Sequence, residues 1–280
     1  EPFLDSVVLA GGLLTQGGTD AQKAEWIGQI IAGAARPALA HSEAKARFNL
    51  SHVETTARAE GGNVVLNGAK TFVLAGAAAA LLIVSARDSG ETTDRNGIGF
   101  YLVPGDAPGV TRRSYRIADG TQAAEITLEN VTVSADARLS GGLDALEAAI
   151  DQTHLAACGE MLGIMGLLME TTLDYLRTRK QFGVTIGSFQ AIQHRMVACY
   201  IGQEQARSLV YAAALAEPGD VQRRAIAGAR AYIIEAAFRI GHESVQFHGG
   251  MGVSDELIVS HAHKRILVLS KLMGDERTAL

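Results

Sequence analysis

Between residues 37 and 139 the apolar pattern follows the period of a strand and never that of a helix. So long a run of strands with no helix between them cannot build a doubly wound parallel sheet, because parallel neighbours need crossover helices. The spacing predicts a hairpin over residues 53–60 and 64–68, turning on Gly61-Gly62-Asn63. Further strands are predicted at 81–86, at 97–103 (ended by Pro104-Gly105), at 110–115 and at 124–133. The expectation is an antiparallel β-barrel or sandwich.

Helical periodicity flanks this block on both sides. Residues 3–10 read as a helix stopped by Gly17-Gly18. Thr19 is the expected N-cap of a second helix over 22–32, where Trp26, Ile27, Ile30 and Ile31 recur at helical spacing. Two short helices alone cannot bury their apolar stripes, so residues 1–36 are expected to be the remnant of a larger N-terminal helical domain. After Gly142 the helical period returns. Helices are expected over 143–178, over 190–216 (ended by Glu217-Pro218-Gly219), from a cap at Asp220 to about 247, and from Asp255 or Glu256 to about 273. Long helices joined by short turns make a C-terminal four-helix bundle. The expected class is α+β, with domains 1–36, 37–139 and 140–280.

The net charge of −5 argues against nucleic acid, which calls for a basic stripe. The longest apolar run, residues 73–86, is broken by Gly76 and is too short to cross a bilayer, so no membrane partner and no secretion signal are expected. Cys158 and Cys199 lie in apolar helical patterns and read as small core residues in a reducing, cytoplasmic compartment, with neither a disulfide nor a metal site expected. The chain begins at Glu1 without a methionine, as a processed or truncated product would.

Chemistry enters at Arg179-Lys180-Gln181-Phe182-Gly183 and Phe189-Gln190-Ala191-Ile192-Gln193-His194, where one long helical pattern gives way to the next. Spacing of three places the Arg179 guanidinium and the Phe182 ring on one face of a helix end, with Gly183 stopping the helix. A flat cation beside a ring suits a planar anionic cofactor. Gln246-Phe247-His248-Gly249-Gly250-Met251-Gly252 forms a second, glycine-rich bend between helices.

The helix–strand–bundle order, with these three motifs in sequence, resembles the acyl-CoA dehydrogenase family over the whole chain. Ala40-His41-Ser42-Glu43, Arg47-Phe48-Asn49-Leu50, residues 68–74, Lys264-Arg265 and Gly274-Asp275 are most similar to the bacterial branch that includes the small subunit of pimeloyl-CoA dehydrogenase. The resemblance implies FAD, an acyl-CoA thioester and a homo- or heterotetramer. It also implies oxidation to the trans-2-enoyl thioester, with electrons passed to electron-transferring flavoprotein in fatty acid metabolism. It implies that Arg179 pairs with pyrophosphate oxygens of FAD bound to a neighbouring subunit and that Phe182 packs beside the adenine end. It implies too that Gln246 hydrogen-bonds near the same pyrophosphate and that Gly249 and Gly250 let backbone approach it. Ser42 matches a hydroxyl that bonds the flavin ring, and Phe72 matches an aromatic flanking the isoalloxazine. Leu74 stands where a threonine bonds the flavin in many members. It cannot donate, so that bond is lost or comes from backbone.

The family's carboxylate base is missing at both of its places, which carry Met273 and Thr153 here. His154 stands where a substrate-steering arginine is found, so His154 and Met273 are the expected substrate contacts. His154 and Glu276 are the candidates for the catalytic base. Three readings remain open: a dehydrogenase with a displaced base, a partner subunit of a heterotetramer whose other chain holds the base, and an oxygen-using flavoenzyme on the same fold.

Overall fold

Every residue of Leu81–Arg87 is buried, as a strand covered on both faces requires. This strand, β4, organises the first half of the chain. The structure is a computed structural model and describes residues 2–274. Two compact units make up the chain, Glu1–Thr153 and His154–Leu280.

The first unit opens with a helical stretch, wound as a π-helix over Phe3–Ala10 and continuing as α1, Gly11–Gly17. Helix α2, Asp20–Ile31, starts where the sequence places its cap: Thr19 accepts from the Gln22 N–H, and Gln22 accepts from the Thr19 N–H at 2.9 Å. Seven strands follow: β1 (Pro37–Ala40), β2 (Thr56–Glu60), β3 (Asn63–Leu74), β4 (Leu81–Arg87), β5 (Ile98–Pro104), β6 (Val110–Arg116) and β7 (Gln122–Ser134). They form one curled sheet in the order β1-β4-β2-β3-β7-β6, with β5 on β4. The pairings β2–β3, β3–β7, β4–β5 and β6–β7 are antiparallel, as expected. Two contacts of β4 differ: β1 runs parallel to it over Leu81–Val84, and Thr56 of β2 pairs in parallel with Arg87. The chain thus leaves the edge of β4 after Ala40 and rejoins it at Thr56. That return is a tertiary event with no local pattern to announce it. Leu66, Leu82, Val84, Val103 and Ile126 fill the core of this sheet.

The second helical run is α3 (Leu143–Thr178), α4 (Gln190–Leu215), α5 (Asp220–His248) and α6 (Ile258–Ser270). Its bounds agree closely with those expected, except at two starts. Asp220 is the first helical residue of α5 behind Gly219, and stabilises the helix through its charge in the first turn rather than as a cap. Neither Asp255 nor Glu256 opens α6; Leu257 occupies that place, and Asp255 instead pairs with Lys264 at 3.1 Å. Cys158 and Cys199 are buried and unpaired by disulfide, and burial raises their thiols to about 12 and about 11. By length and composition α3 is apolar enough to cross a bilayer, which the sequence reading missed by following only uninterrupted apolar runs. Of its most apolar window 44 % is buried within the chain.

Candidate functional site

The motif after α3 takes a shape the sequence did not announce. Helix α3 ends at Thr178, before Arg179. Lys180–Gln181 (β8) and Val184–Thr185 (β9) then pair as a minimal hairpin, Lys180 opposite Thr185 and Gln181 opposite Val184. Its two-residue tip is Phe182-Gly183, with φ of 52° and 81°. Such a tip needs left-handed backbone at both positions, and glycine at the second lowers the cost. Gly183 therefore turns a hairpin instead of stopping a helix, and Arg179 and Phe182 do not share a helix face. The hairpin leaves the Phe182 ring 90 % exposed, edge-on to Phe189 at 6.4 Å. The Arg179 side chain is exposed and makes no hydrogen bond or ion pair with any described residue.

The glycine-rich bend lies at the same end of this unit. Tyr175, one turn before Arg179, stacks on His248 with ring centroids 4.4 Å apart, which draws the ends of α3 and α5 together. Arg195 of α4 lies over Phe247 at 4.7 Å and pairs with Glu243. Gly249 then breaks α5 with φ 59° and ψ −135°, a conformation open essentially to glycine alone. A Cβ added at Gly249 or Gly250 would meet nothing within 4 Å, so open space faces the backbone there. The Gln246 side chain is exposed, and its amide makes no hydrogen bond to a described residue. An unpaired guanidinium, a bare ring, a free amide and open glycine backbone thus gather at one end, and they fit a phosphate-bearing, aromatic ligand. The G249A variant is expected to lose about 1–3 kcal/mol of stability through backbone strain alone, seen as a lower Tm with no buried contact removed.

In the first unit, Ser42, Phe72 and Leu74 come together. Thr71 N–H donates to the Ser42 carbonyl at 2.8 Å, joining the segment after β1 to the end of β3. The register of β3 on β7 slips between Lys70 and Val73, and Phe72 sits in that bulge with φ 52° and its ring 41 % exposed. The Ser42 side chain is half-buried, and its hydroxyl makes no hydrogen bond to a described residue. Leu74 is half-buried and offers no donor from its side chain.

His154 and Met273 also approach each other. His154 Nε2–H donates to the Leu272 carbonyl at 3.1 Å, next to Met273, which is half-buried with φ 50°. Burial and then the charge of Arg230 push His154 down to about 4, against the Leu272 carbonyl, so the ring is neutral near pH 7. Thr153 is fully buried, its hydroxyl donated to the Ala149 carbonyl at 2.7 Å. Glu160 is committed to Arg265, at 2.6 and 3.1 Å. Glu276 lies outside the described residues. Because His154 takes a proton near 6.5 when unfolded but only near 4 when folded, its stabilising neutral form is fully favoured above pH 6.5 and is lost as pH falls toward 4. H154Q is expected to flatten the loss of Tm measured between pH 7 and 4. An unchanged slope would remove His154 from that titration.

Sequence reasoning missed two buried cations. Arg230 is 1 % exposed and donates to the Leu272 and Gly274 carbonyls at 2.9 and 2.8 Å. Lys70 is fully buried and pairs with Glu43 at 2.7 Å. Arg230 falls on the apolar stripe of Ile226, Ile233 and Ile234, and that misplaced charge was the available signal.

Residues 38–131 match the family described as acyl-CoA dehydrogenase, middle domain, and residues 140–279 match acyl-CoA dehydrogenase, C-terminal domain. The chain belongs to the acyl-CoA dehydrogenase family, a family of FAD-dependent oxidoreductases. It is 30 % identical to the probable acyl-CoA dehydrogenase YngJ of Bacillus subtilis, over 97 % of this chain and 72 % of that protein. Among solved structures it is similar to butyryl-CoA dehydrogenase from Megasphaera elsdenii, with a TM-score of 0.90, 26 % identity, and coverage of 99 % of this chain and 74 % of that one. It is also similar to a chain of the ChsE4-ChsE5 complex from Mycobacterium tuberculosis, with a TM-score of 0.87, 27 % identity, and coverage of 99 % and 73 %.

Proposed function

We propose that this chain is a subunit of a tetrameric acyl-CoA dehydrogenase that oxidises an acyl-CoA thioester to its trans-2-enoyl form and passes electrons to electron-transferring flavoprotein in the cytoplasm. The observation that carries this reading is the pairing of an unpartnered Arg179 and a bare Phe182 ring with the open Gly249-Gly250 backbone at one end of the helical unit. FAD, when bound, supplies the acceptor for the substrate's β-hydrogen. Arg179 and Gln246 bind the pyrophosphate of an FAD held by a neighbouring subunit, Phe182 covers its adenine end, and the glycines admit it close to backbone. In the first unit the Ser42 hydroxyl donates to the ring of the flavin this chain itself carries, Phe72 flanks it, and Leu74 leaves the remaining bond to backbone. His154 and Met273 line the acyl-CoA side. Residues 1–36 belong with a helical domain of the kind the family carries, followed by the middle domain over 37–139 and the bundle over 140–280.

An oligomer is supported by α4, whose Val197, Tyr200, Ile201, Tyr211 and Leu215 share one face, each more than half exposed. Glu204 and Ser208 interrupt this face, yet five exposed large apolar side chains on it are more than a monomer's surface usually carries. The missing carboxylate at Met273 and Thr153 favours the narrower reading that this is the partner chain of a heterotetramer. The base then belongs to a related subunit, as two different chains associate in the ChsE4-ChsE5 complex.

The test is copurification with the product of a neighbouring gene, counting FAD per tetramer and adding acyl-CoA anaerobically. Bleaching of the flavin followed by slow reoxidation in air is expected. Rapid reaction of the reduced flavin with oxygen would favour an oxidase or monooxygenase instead, and an assembled oligomer without flavin would end both readings.

A further inference from the structure

The excursion between β1 and β2 is closed on itself by one carboxylate. Glu43, near its start, accepts from the N–H groups of Glu54 and Thr55 at its end, at 2.5 and 3.0 Å, and from the Thr55 hydroxyl at 2.7 Å. Lys70 reaches this knot from β3 with its side chain wholly buried. Its Nζ donates to Glu43 Oε1 at 2.7 Å, to Ser85 Oγ of β4 at 2.8 Å and to the His41 carbonyl at 3.4 Å. One ammonium therefore fastens the excursion to two strands.

Ser42 lies between the two residues that Lys70 grips. Its carbonyl takes the N–H of Thr71, the residue after Lys70, and Phe72 follows in the bulge. The Ser42 hydroxyl makes no hydrogen bond to a described residue, and Phe72 is 41 % exposed. Their separation is thus set from beneath by the ion pair.

Such a pair is a poor way to gain stability, since desolvation offsets its attraction. Burial pulls Lys70 down to about 8 even against the pull of Glu43. Burial also pushes Glu43 up, but the charge and hydrogen bond of Lys70 and the bonds from Glu54 and Thr55 outweigh it and leave its carboxyl below the usual range. An apolar pair would fill the same space. It could not hold a carbonyl, two hydroxyls and two N–H groups from three segments at fixed spacing.

We propose that the Glu43–Lys70 pair is a positioning device for the flavin end of the FAD site, fixing the Ser42 hydroxyl and the Phe72 ring at the separation the ring system requires. The inference rests on the reading above that those two residues hold the flavin. Neither Glu43 nor Lys70 touches the cofactor.

The test compares wild type with the K70M/E43Q double variant in the assembled oligomer, measuring FAD affinity, the flavin absorption band and midpoint potential, and Tm. The amide keeps one oxygen, for the Thr55 N–H and hydroxyl that Oε1 takes, gives up the bond from the Glu54 N–H, and no buried charge is left alone. FAD binding at least about 10-fold weaker, with a displaced absorption band and potential and a Tm within a few degrees of wild type, is expected. Should the double variant not fold, S85A removes a single acceptor of Lys70, and about 3-fold weaker binding with a displaced band is expected of it. A folded K70M/E43Q, or failing that S85A, with wild-type affinity, band and potential overturns the inference alone. Wild type that binds no FAD overturns the underlying reading and this inference with it.

Discussion

R179A is expected to weaken FAD binding to the assembled oligomer by about 100-fold while leaving the melting temperature of the cofactor-free protein unchanged. The size follows from what is removed. A guanidinium that meets two phosphate oxygens makes charge-assisted, two-point bonds, and deleting one side of such a pair costs about 2–5 kcal/mol, or roughly 30- to several-thousand-fold. The absence of a stability cost follows from the structure, because the Arg179 side chain has no partner among the described residues. R179K keeps the charge but loses the planar fork, and is expected to fall between the two, about 10-fold weaker than wild type. F182A is the natural companion, since the Phe182 ring is 90 % exposed and packs edge-on to Phe189. Titration of FAD against each variant, followed by quenching of flavin fluorescence, decides the matter. Wild-type affinity in R179A would place the pyrophosphate elsewhere.

What could be read from the sequence depended on how many residues repeat a pattern. Helix α3 carries its 3.6-residue period for 36 residues, and its bounds were legible to the residue. The hairpin after it was not, because two-residue strands hold no alternation, and Phe182 is a residue type that rarely adopts positive φ. The motif was thus identified while its geometry was misjudged: Arg179 and Phe182 are neighbours on a turn and not on a helix. The parallel pairing of β1 with β4 was hidden for a different reason, since it joins strands more than 40 residues apart, with an aperiodic excursion and the β2–β3 hairpin between them. Lys70 could be seen as a charge inside a strand, but its partner lies 27 residues away, and only the register of the sheet brings Glu43 beneath it.

The chain isolated from any carboxylate-bearing partner is expected to turn over acyl-CoA at least about 100-fold more slowly than the heterotetramer. A positioned general base contributes about 10²- to 10⁴-fold, and the described residues offer no substitute for it at the two family places. Met273 has no proton-accepting group. The Thr153 hydroxyl is buried and donated to Ala149. His154 is neutral near pH 7, but its depressed affinity for a proton, about 4, makes it a weak base, and its Nε2–H is already given to the Leu272 carbonyl. Glu160 is bound to Arg265 through both oxygens. Exchange of the substrate α-hydrogen with D2O isolates this step from electron transfer, because it needs the base but no electron acceptor. The heterotetramer is expected to exchange that hydrogen readily and the lone chain hardly at all, with H154Q changing the heterotetramer rate less than about 3-fold, well under the factor a base supplies. The competing outcome is equally clear: a lone chain that exchanges at the full rate, and loses it on E276Q, would make Glu276 the base and the chain a complete dehydrogenase in its own right.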